Sequence, residues 1–282
     1  MKKGLILEGG AMRGMFTAGV TDVMMEHGIR YDGAVGVSAG AAFGCNYKSG
    51  QIGRAIRYNM RFCNDRRYCG WGCLLRTGNI YSEDFAYGEV PRILDPFDFD
   101  AYINNPMSFY IVCTDIETGQ PVYHLYKGTE PSGFDWIRAS ASMPLVSRHV
   151  EIEGRKLLDG GITDAIPLRY FETLGYTKMV LVLTQPKGYR KMKTRALPLL
   201  RLMYRQYPKL VEAMEHRHIM YNNAIDYLAQ QEAAGNIFVL RPESPLPVSR
   251  MERNPLKLKL AYDAGRHMAA QRMEELQGFL KE

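Results

Sequence analysis

Apolar positions along the chain fall into two kinds of run. Short, nearly uninterrupted ones recur at 4–8, 31–37, 108–114, 122–126, 156–158, 179–184 and 237–240. Continuous rather than alternating hydrophobicity predicts strands of a sheet covered on both faces. Longer stretches carry helical spacing instead. In 15–27 the apolar residues Phe16, Val20, Val23 and Met24 share a face, and Gly28 stands at the C′ stop. Segment 195–231 is polar and rich in Met and Tyr, which reads as helix with a break or kink at Pro208. A last helical stretch, 256–281, offers Leu258, Leu260, Tyr262, Met268, Met273 and Leu276. Segment 54–76 mixes Arg with Tyr, Phe and Trp and shows no assignable period. The first forty residues therefore run strand, glycine loop, helix, strand, tight turn, a βαβ unit with parallel strands. No repeat, low-complexity tract or linker divides the chain.

At 282 residues and 46% hydrophobic content the chain is large enough for one sizeable α/β core. Five cysteines, an odd number in a long chain, argue against a disulfide framework and for a reducing compartment, so a cytoplasmic protein is expected. Met1-Lys2-Lys3 imitates the start of a signal peptide, but Glu8 ends the apolar run at once. The weakly polar stretch 33–47 is too short and glycine-rich to cross a bilayer, which needs ~20 apolar residues.

The net charge of +6 is unevenly spread. Segment 187–217 holds nine basic residues (Lys187, Arg190, Lys191, Lys193, Arg195, Arg201, Arg205, Lys209, Arg217) against Glu212 and Glu215. Leu197, Leu200, Tyr204 and Tyr207 fall at helical spacing among them. Two readings fit: a solvated helix face, or a short basic amphipathic surface between Lys187 and Lys209 that touches anionic lipid at the inner face of the membrane. Nucleic acid is a poor partner, because there is no zinc-finger spacing and no RNP-like aromatic pattern.

Candidate chemistry begins at Gly36-Val37-Ser38-Ala39-Gly40, which lies between an apolar run and small helix-compatible residues. This is the pattern of a strand-turn-helix elbow that raises a serine above a sheet edge, with glycines where a side chain would clash. A serine nucleophile also needs oxyanion donors and a base. Gly9-Gly10-Ala11 follows the first strand and opens a helix, so its N–H groups are candidate donors. A dinucleotide fingerprint is the competing reading of that loop, although Ala11 replaces its middle glycine. For the base, no histidine stands in a convincing context: His27, His124, His149, His216, His218 and His267 all read as surface or structural. Asp159 is the better candidate, since an apolar strand delivers it to its carboxyl end and Gly160-Gly161 turns the chain away. A desolvated carboxylate there would have a raised pKa and act as base; an Asp-Gly turn closed by an Asx bond is the alternative.

Four ordered blocks, Glu8-Gly9-Gly10-Ala11-Met12-Arg13-Gly14, Gly36-Val37-Ser38-Ala39-Gly40, Ala139-Ser140-Ala141-Ser142-Met143-Pro144 and Asp159-Gly160-Gly161, resemble those of patatin-like phospholipases. The resemblance covers the first ~170 residues and is far more specific than any single block. It implies a three-layer α/β fold with a mainly parallel central sheet, a catalytic domain over 1–194 and a mainly helical C-terminal portion over 195–282. It implies a serine-dependent lipid acyl hydrolase with Ser38 as nucleophile, Asp159 as base and Gly9, Gly10 and Ala11 as oxyanion hole. Gly36, Gly40, Gly160 and Gly161 would support the turns. Two residues depart from the family pattern: Ala11 stands where glycine is common, and Ser142 where alanine is usual. A negative φ at Ala11 is expected to keep its N–H in place. Arg13 matches the family's basic residue; it fixes the loop or attracts an anionic head group, with the structural role first. No metal or organic cofactor is implied, and Cys63, Cys69 and Cys73 lack zinc-site spacing. A lipid acyltransferase using the same pair, or a non-catalytic lipid sensor, remains as an alternative.

Overall fold

The computed structural model describes residues 1–130 and 132–281. Its strands are β1 (Lys3–Leu7), β2 (Gly33–Val37), β3 (Ser108–Asp115), β4 (Pro121–Leu125), β5 (Val150–Ile152), β6 (Arg155–Asp159), β7 (Lys178–Val182) and β8 (Ile237–Leu240), all in one sheet. Its α-helices are α1 (Gly14–Glu26), α2 (Ala39–Lys48), α3 (Arg54–Phe62), α4 (Trp71–Thr77), α5 (Phe99–Asn104), α6 (Asp135–Ser140), α7 (Leu168–Thr173), α8 (Leu197–Met203), α9 (Pro208–Ala233), α10 (Pro255–Gln271) and α11 (Met273–Lys281). Strands β3, β2, β1, β7 and β8 lie side by side and parallel. Beyond them the sheet turns antiparallel: β4 and β6 both pair with β3, and β5 with β6.

Alternation along β1 builds the layers. Leu5 and Leu7 enter one core with Phe16, Val20 and Met24 of α1. Ile6 points the other way, into a core with Leu168 and Phe171 of α7 and Tyr221 and Leu228 of α9. The sheet is therefore covered on both faces, as its continuous apolar runs require. The C-terminal part shares this framework, since β8 extends the sheet and α10 crosses α1 closely. At that crossing a Cβ on Gly265 would strike the Phe16 carbonyl, and one on Gly19 the Tyr262 carbonyl. Tyr262 then donates to Asp22 at 2.7 Å, and Arg266 forks onto Glu26 at 2.9 Å.

Several expectations shift. Strand β2 begins at Gly33 rather than at residue 31, because the Asp32 carboxylate accepts the Lys3 N–H at 2.6 Å and turns the chain. The unassigned stretch 54–76 holds α3 and α4; its period was hidden because Arg54 is a buried residue whose guanidinium donates to Asp95 O and Asn46 Oδ1. Of the break or kink expected at Pro208 the break is found: α8 ends at Met203 and Pro208 starts α9, the position where a missing N–H costs nothing. The last helical stretch breaks at Arg272, which donates to Val239 O at 2.8 Å.

The basic stretch also differs. Leu200 turns into a core beside Leu210 and Met214 and Leu197 is buried, while Leu199, Leu202 and Met203 of α8 face outward. Arg190, Lys193, Arg201 and Lys209 have acidic partners in Asp226, Glu215 and Glu212. The apolar face drawn from Leu197 and Leu200 is thus a core face, and much of the local charge is paired. All five cysteines are free and buried. No described helix is long and apolar enough to cross a membrane.

Candidate active site

Ser38 sits between β2 and α2 at φ 55° and ψ −120°, a left-handed conformation that costs a non-glycine residue of order 1–3 kcal/mol. The turn is held from several sides. Its own N–H donates to Ser140 Oγ at 2.8 Å, and the Ser140 hydroxyl donates onward to Val112 O at 2.6 Å. The first α2 turn then closes on the Ser38 carbonyl through Ala41 N and Ala42 N, both at 3.0 Å. The flanking glycines leave space for backbone: a Cβ on Gly36 would meet Ala41 Cα at 2.5 Å, and one on Gly40 the Leu7 carbonyl.

The glycine loop packs directly on this turn. A Cβ on Gly9 would come within 2.7 Å of Ser38 Cβ and 2.8 Å of Val37 O. The N–H groups of Gly9, Gly10 and Ala11 have no acceptor among the described residues, whereas that of Ser38 is taken by Ser140. Ala11 adopts φ 50°, against the expected negative value: the chain must turn from extended Gly10 into the short 3-10 helix Ala11–Arg13, where glycine would be unstrained. Glu8 anchors the loop from behind. Buried, it accepts from Thr184 N at 2.7 Å, Thr184 Oγ1 at 3.2 Å and Tyr221 Oη at 2.8 Å.

Asp159 reaches Ser38 by an unexpected route. Strand β2 runs along β3 up to Val37 opposite Val112; on the same edge of β3, β6 runs the other way and ends with Asp159 opposite Cys113. Strand β4 occupies the opposite edge. The two strands thus meet head to head, and their last residues bring Ser38 and Asp159 together. Gly160 makes the junction possible, since a Cβ there would strike the Val112 carbonyl. The backbone is pinned by Asp159 N donating to Ser142 O at 2.8 Å and by Thr114 Oγ1 donating to Asp159 O at 2.9 Å.

Asp159 closes an Asx turn and is also buried. Its Oδ1 accepts the Gly161 N–H at 2.7 Å, an Asx bond, and the Ser38 side chain stands close enough to favour the ionised carboxylate. Burial pushes its pKa above the usual carboxylate range; the Ser38 hydroxyl, the Arg217 charge, the Gly161 N–H and the Lys191 charge pull the other way. Arg217 also donates Nε–H to Gly161 O at 2.7 Å, holding the turn from α9.

Ser38, Asp159 and the glycine loop open onto a cavity of about 810 Å³. Its far walls are apolar, from Tyr58, Tyr68, Ile80, Val90, Phe134 and Leu145. The volume falls in the range of sites that bury a drug-sized ligand, roughly 300–1,000 Å³. The histidines keep apart from this pair. His124 stacks on Trp136 at 3.7 Å, His149 meets Glu151 at 3.2 Å, and His218, though a cavity residue, holds Nδ1 3.0 Å from Glu215 O. Arg13 lines the cavity rather than only bracing the loop.

The patatin-like phospholipase family model matches residues 5–172, well over half of the chain. The chain belongs to the patatin-like phospholipase family. A second match, to a domain of unknown function (DUF6363), covers residues 207–281. "Uncharacterized protein YjjU" of Escherichia coli is 29% identical over 93% of this chain and 74% of its own length. "Lysophospholipase nte1" of Aspergillus oryzae is 28% identical over 61% of this chain, which spans 11% of that protein. VipD from Legionella pneumophila superposes with a TM-score of 0.47 at 11% identity, over 97% of this chain and 67% of its own. Membership of a phospholipase family points to lipid acyl hydrolysis and a lipid substrate.

Sequence reasoning located Ser38, Asp159 and the glycine loop but assigned no role to Ser140, Thr184, Tyr221 or Arg250, and saw Lys191 and Arg217 only as part of the basic stretch 187–217. Ser140 stood inside a quoted block. Thr184, Tyr221 and Arg250 carry no local signal, because they reach the site from segments far apart in the chain.

Proposed function

We propose that the protein hydrolyses carboxylic esters of lipids through an acyl-enzyme on Ser38, with Asp159 as the general base. The observation that carries the reading is the head-to-head meeting of β2 and β6, which sets a strained serine against a desolvated carboxylate at the mouth of an apolar cavity. Asp159 takes the Ser38 proton as Oγ attacks the acyl carbon, and the N–H groups of Gly9, Gly10 and Ala11 hold the oxyanion. Collapse expels the alcohol, which leaves with the proton from Asp159. Water then attacks the acyl-enzyme, giving its proton to Asp159, and the fatty acid departs as Ser38 is restored. Residues 1–194 carry this chemistry and 195–282 complete the cavity.

The experiment is labelling with a fluorophosphonate probe together with turnover of a short-chain ester, in wild type, Ser38→Ala and Asp159→Asn. Labelling and turnover in wild type that vanish in Ser38→Ala, with fatty acid released when no acceptor alcohol is present, are expected. Labelling that persists in Ser38→Ala would sink the mechanism, and dependence on an acceptor would make the protein an acyltransferase.

Substrate delivery is proposed to use α8 as a contact with anionic membrane. Ala196 and Leu200 line the cavity on its inner side, while Leu199, Leu202 and Met203 are exposed on its outer side, flanked by Arg195 and Arg205. Apolar residues beside basic ones suit an anionic interface. Leu202→Asp should cut binding to phosphatidylglycerol vesicles in a sedimentation assay; unaltered binding would count against α8. The five buried, unpaired thiols support a reducing compartment.

A further inference from the structure

One end of the cavity carries more positive charge than the acidic side chains among the described residues balance. Arg13, Lys191, Arg217 and Arg250 all line it and lie near enough for their charges to act on one another. They come from four separate segments, and none forms an ion pair among the described residues. Their neighbours Arg190, Lys193 and Arg201, by contrast, are all paired. The acids within reach among the described residues are Glu8 and Asp159, so four cations face two carboxylates. Glu8 is already occupied by Thr184 and Tyr221, and Asp159 accepts the Gly161 N–H.

The cations themselves are under-used. Arg13 Nε is buried with no hydrogen-bond partner. Lys191 rests its ammonium 4.2 Å above the Tyr221 ring, and burial and the neighbouring cations lower its pKa to about 8. Arg217 spends Nε on Gly161 O and leaves its terminal nitrogens without a protein acceptor among the described residues. Gathering like charges on a partly desolvated wall is costly unless an anion completes the site.

We propose that Lys191, Arg217 and Arg250, with Arg13, form a phosphate subsite that selects lipid esters whose head group carries a phosphate, the acyl chain lying in the apolar part of the same cavity. This rests on the acyl-hydrolase reading above. Phosphate fits better than carboxylate because planar guanidinium forks match its several oxygens, and three forks with an ammonium offer more donors than two carboxylate oxygens can use. Lys191, Arg217 and Arg250 lie outside the matched patatin-like region, and Arg217 and Arg250 lie within 207–281. The subsite therefore gives the C-terminal domain a direct part in substrate choice.

The test compares kcat/KM for a monoacylglycerol 3-phosphate with that for the monoacylglycerol of the same chain, both as monomers. Wild type should prefer the phosphorylated ester by about tenfold or more, a difference that one charge-assisted contact supplies. Lys191→Gln and Arg250→Gln should each lower that ratio several-fold, and Lys191→Arg should keep it. Arg250 is exposed, so its substitution does not threaten the core. A ratio near one in wild type, or one unchanged by both substitutions, overturns the subsite. Calorimetry on Ser38→Ala reads binding without turnover: sn-glycerol 3-phosphate should bind and glycerol should not. Inorganic phosphate that binds as tightly as glycerol 3-phosphate, with no kinetic preference, would make the site one for free phosphate and overturn head-group selection. Fluorophosphonate labelling of Ser38 separates the two failures. A labelled enzyme with no phosphate preference sinks the subsite alone, and an unlabelled one that binds glycerol 3-phosphate sinks the hydrolase reading alone.

Discussion

Tyr221 donates its hydroxyl to Glu8 at 2.8 Å, so a helix of the C-terminal region holds the residue that precedes the glycine loop. The Glu8 carboxylate is buried, and its other oxygen is bound by Thr184 at the end of the β7 segment. Tyr221→Phe removes one donor from a buried acid, a loss of about 1–3 kcal/mol. The expected result is a Tm several degrees lower together with a lower kcat, as the loop loses its brace. Thermal unfolding that matches wild type would show that Glu8 holds the loop without Tyr221.

Ser38 pays for its position in backbone strain. Glycine tolerates a positive φ without the Cβ penalty, so Ser38→Gly should abolish turnover yet raise stability above that of Ser38→Ala. The strain relieved, of order 1–3 kcal/mol, is offset in part by glycine's greater freedom in the unfolded chain. Differential scanning calorimetry of the two inactive variants isolates the term. A Ser38→Gly protein less stable than Ser38→Ala would mean that the turn is not strained.

Asp159 gives a prediction in which activity and stability move in opposite directions. Its pKa is raised by burial, so it must lose its proton at higher pH than an ordinary carboxylate before it can act as base. The acid limb of kcat/KM should therefore lie above the usual carboxylate value of about 4. A raised pKa in the folded state also means that ionisation costs stability, which is fully present below the unfolded value and declines as pH rises through the folded one. Asp159→Asn imitates the protonated form and should raise Tm at pH 7 while turnover disappears. Arg217 opposes the burial effect, so Arg217→Met should move the acid limb to higher pH. An acid limb at or below about 4 in wild type would show that Asp159 is better solvated than its surroundings imply.

What was legible in the sequence was local. The opening strand, the helix ended by Gly28 at φ 66° and the Ser38 turn all follow from spacing within a few residues. Asp159 was legible as a carboxylate at a strand end, but its head-to-head approach to Ser38 was not, because it depends on β6 sharing the β3 edge with β2. Buried Arg54 disguised α3, and in α8 the residues at Leu197 and Leu200 spacing proved to be core while Leu199 and Leu202 were exposed. The positive φ of Ala11 ran against the residue's own preference. Lys191 and Arg217 were legible only as members of a basic stretch and Arg250 not at all, since only the tertiary fold gathers them on one wall.

Lys191 should make the preference for phosphorylated esters depend on pH. The groups facing its ammonium are the Arg217, Arg250 and Arg13 cations, the Glu8 and Asp159 carboxylates and the neutral Tyr221 ring. Burial is the largest influence and lowers its pKa to about 8, with Arg217 next; Glu8 acts in the opposite direction. Lys191 is therefore charged below about pH 8 and loses its charge above it. The head-group phosphate has completed its second ionisation, near pH 6, well before that point. The kcat/KM ratio of phosphorylated to unphosphorylated ester should stay level from pH 7 and fall as pH rises through about 8. Lys191→Arg keeps its charge over the whole range and should flatten the profile. Because the depressed value also penalises the charged form in the folded state, stability should rise with pH from about 8 toward the ordinary lysine value. A ratio that falls equally in wild type and Lys191→Arg would place the titrating group elsewhere in the cavity.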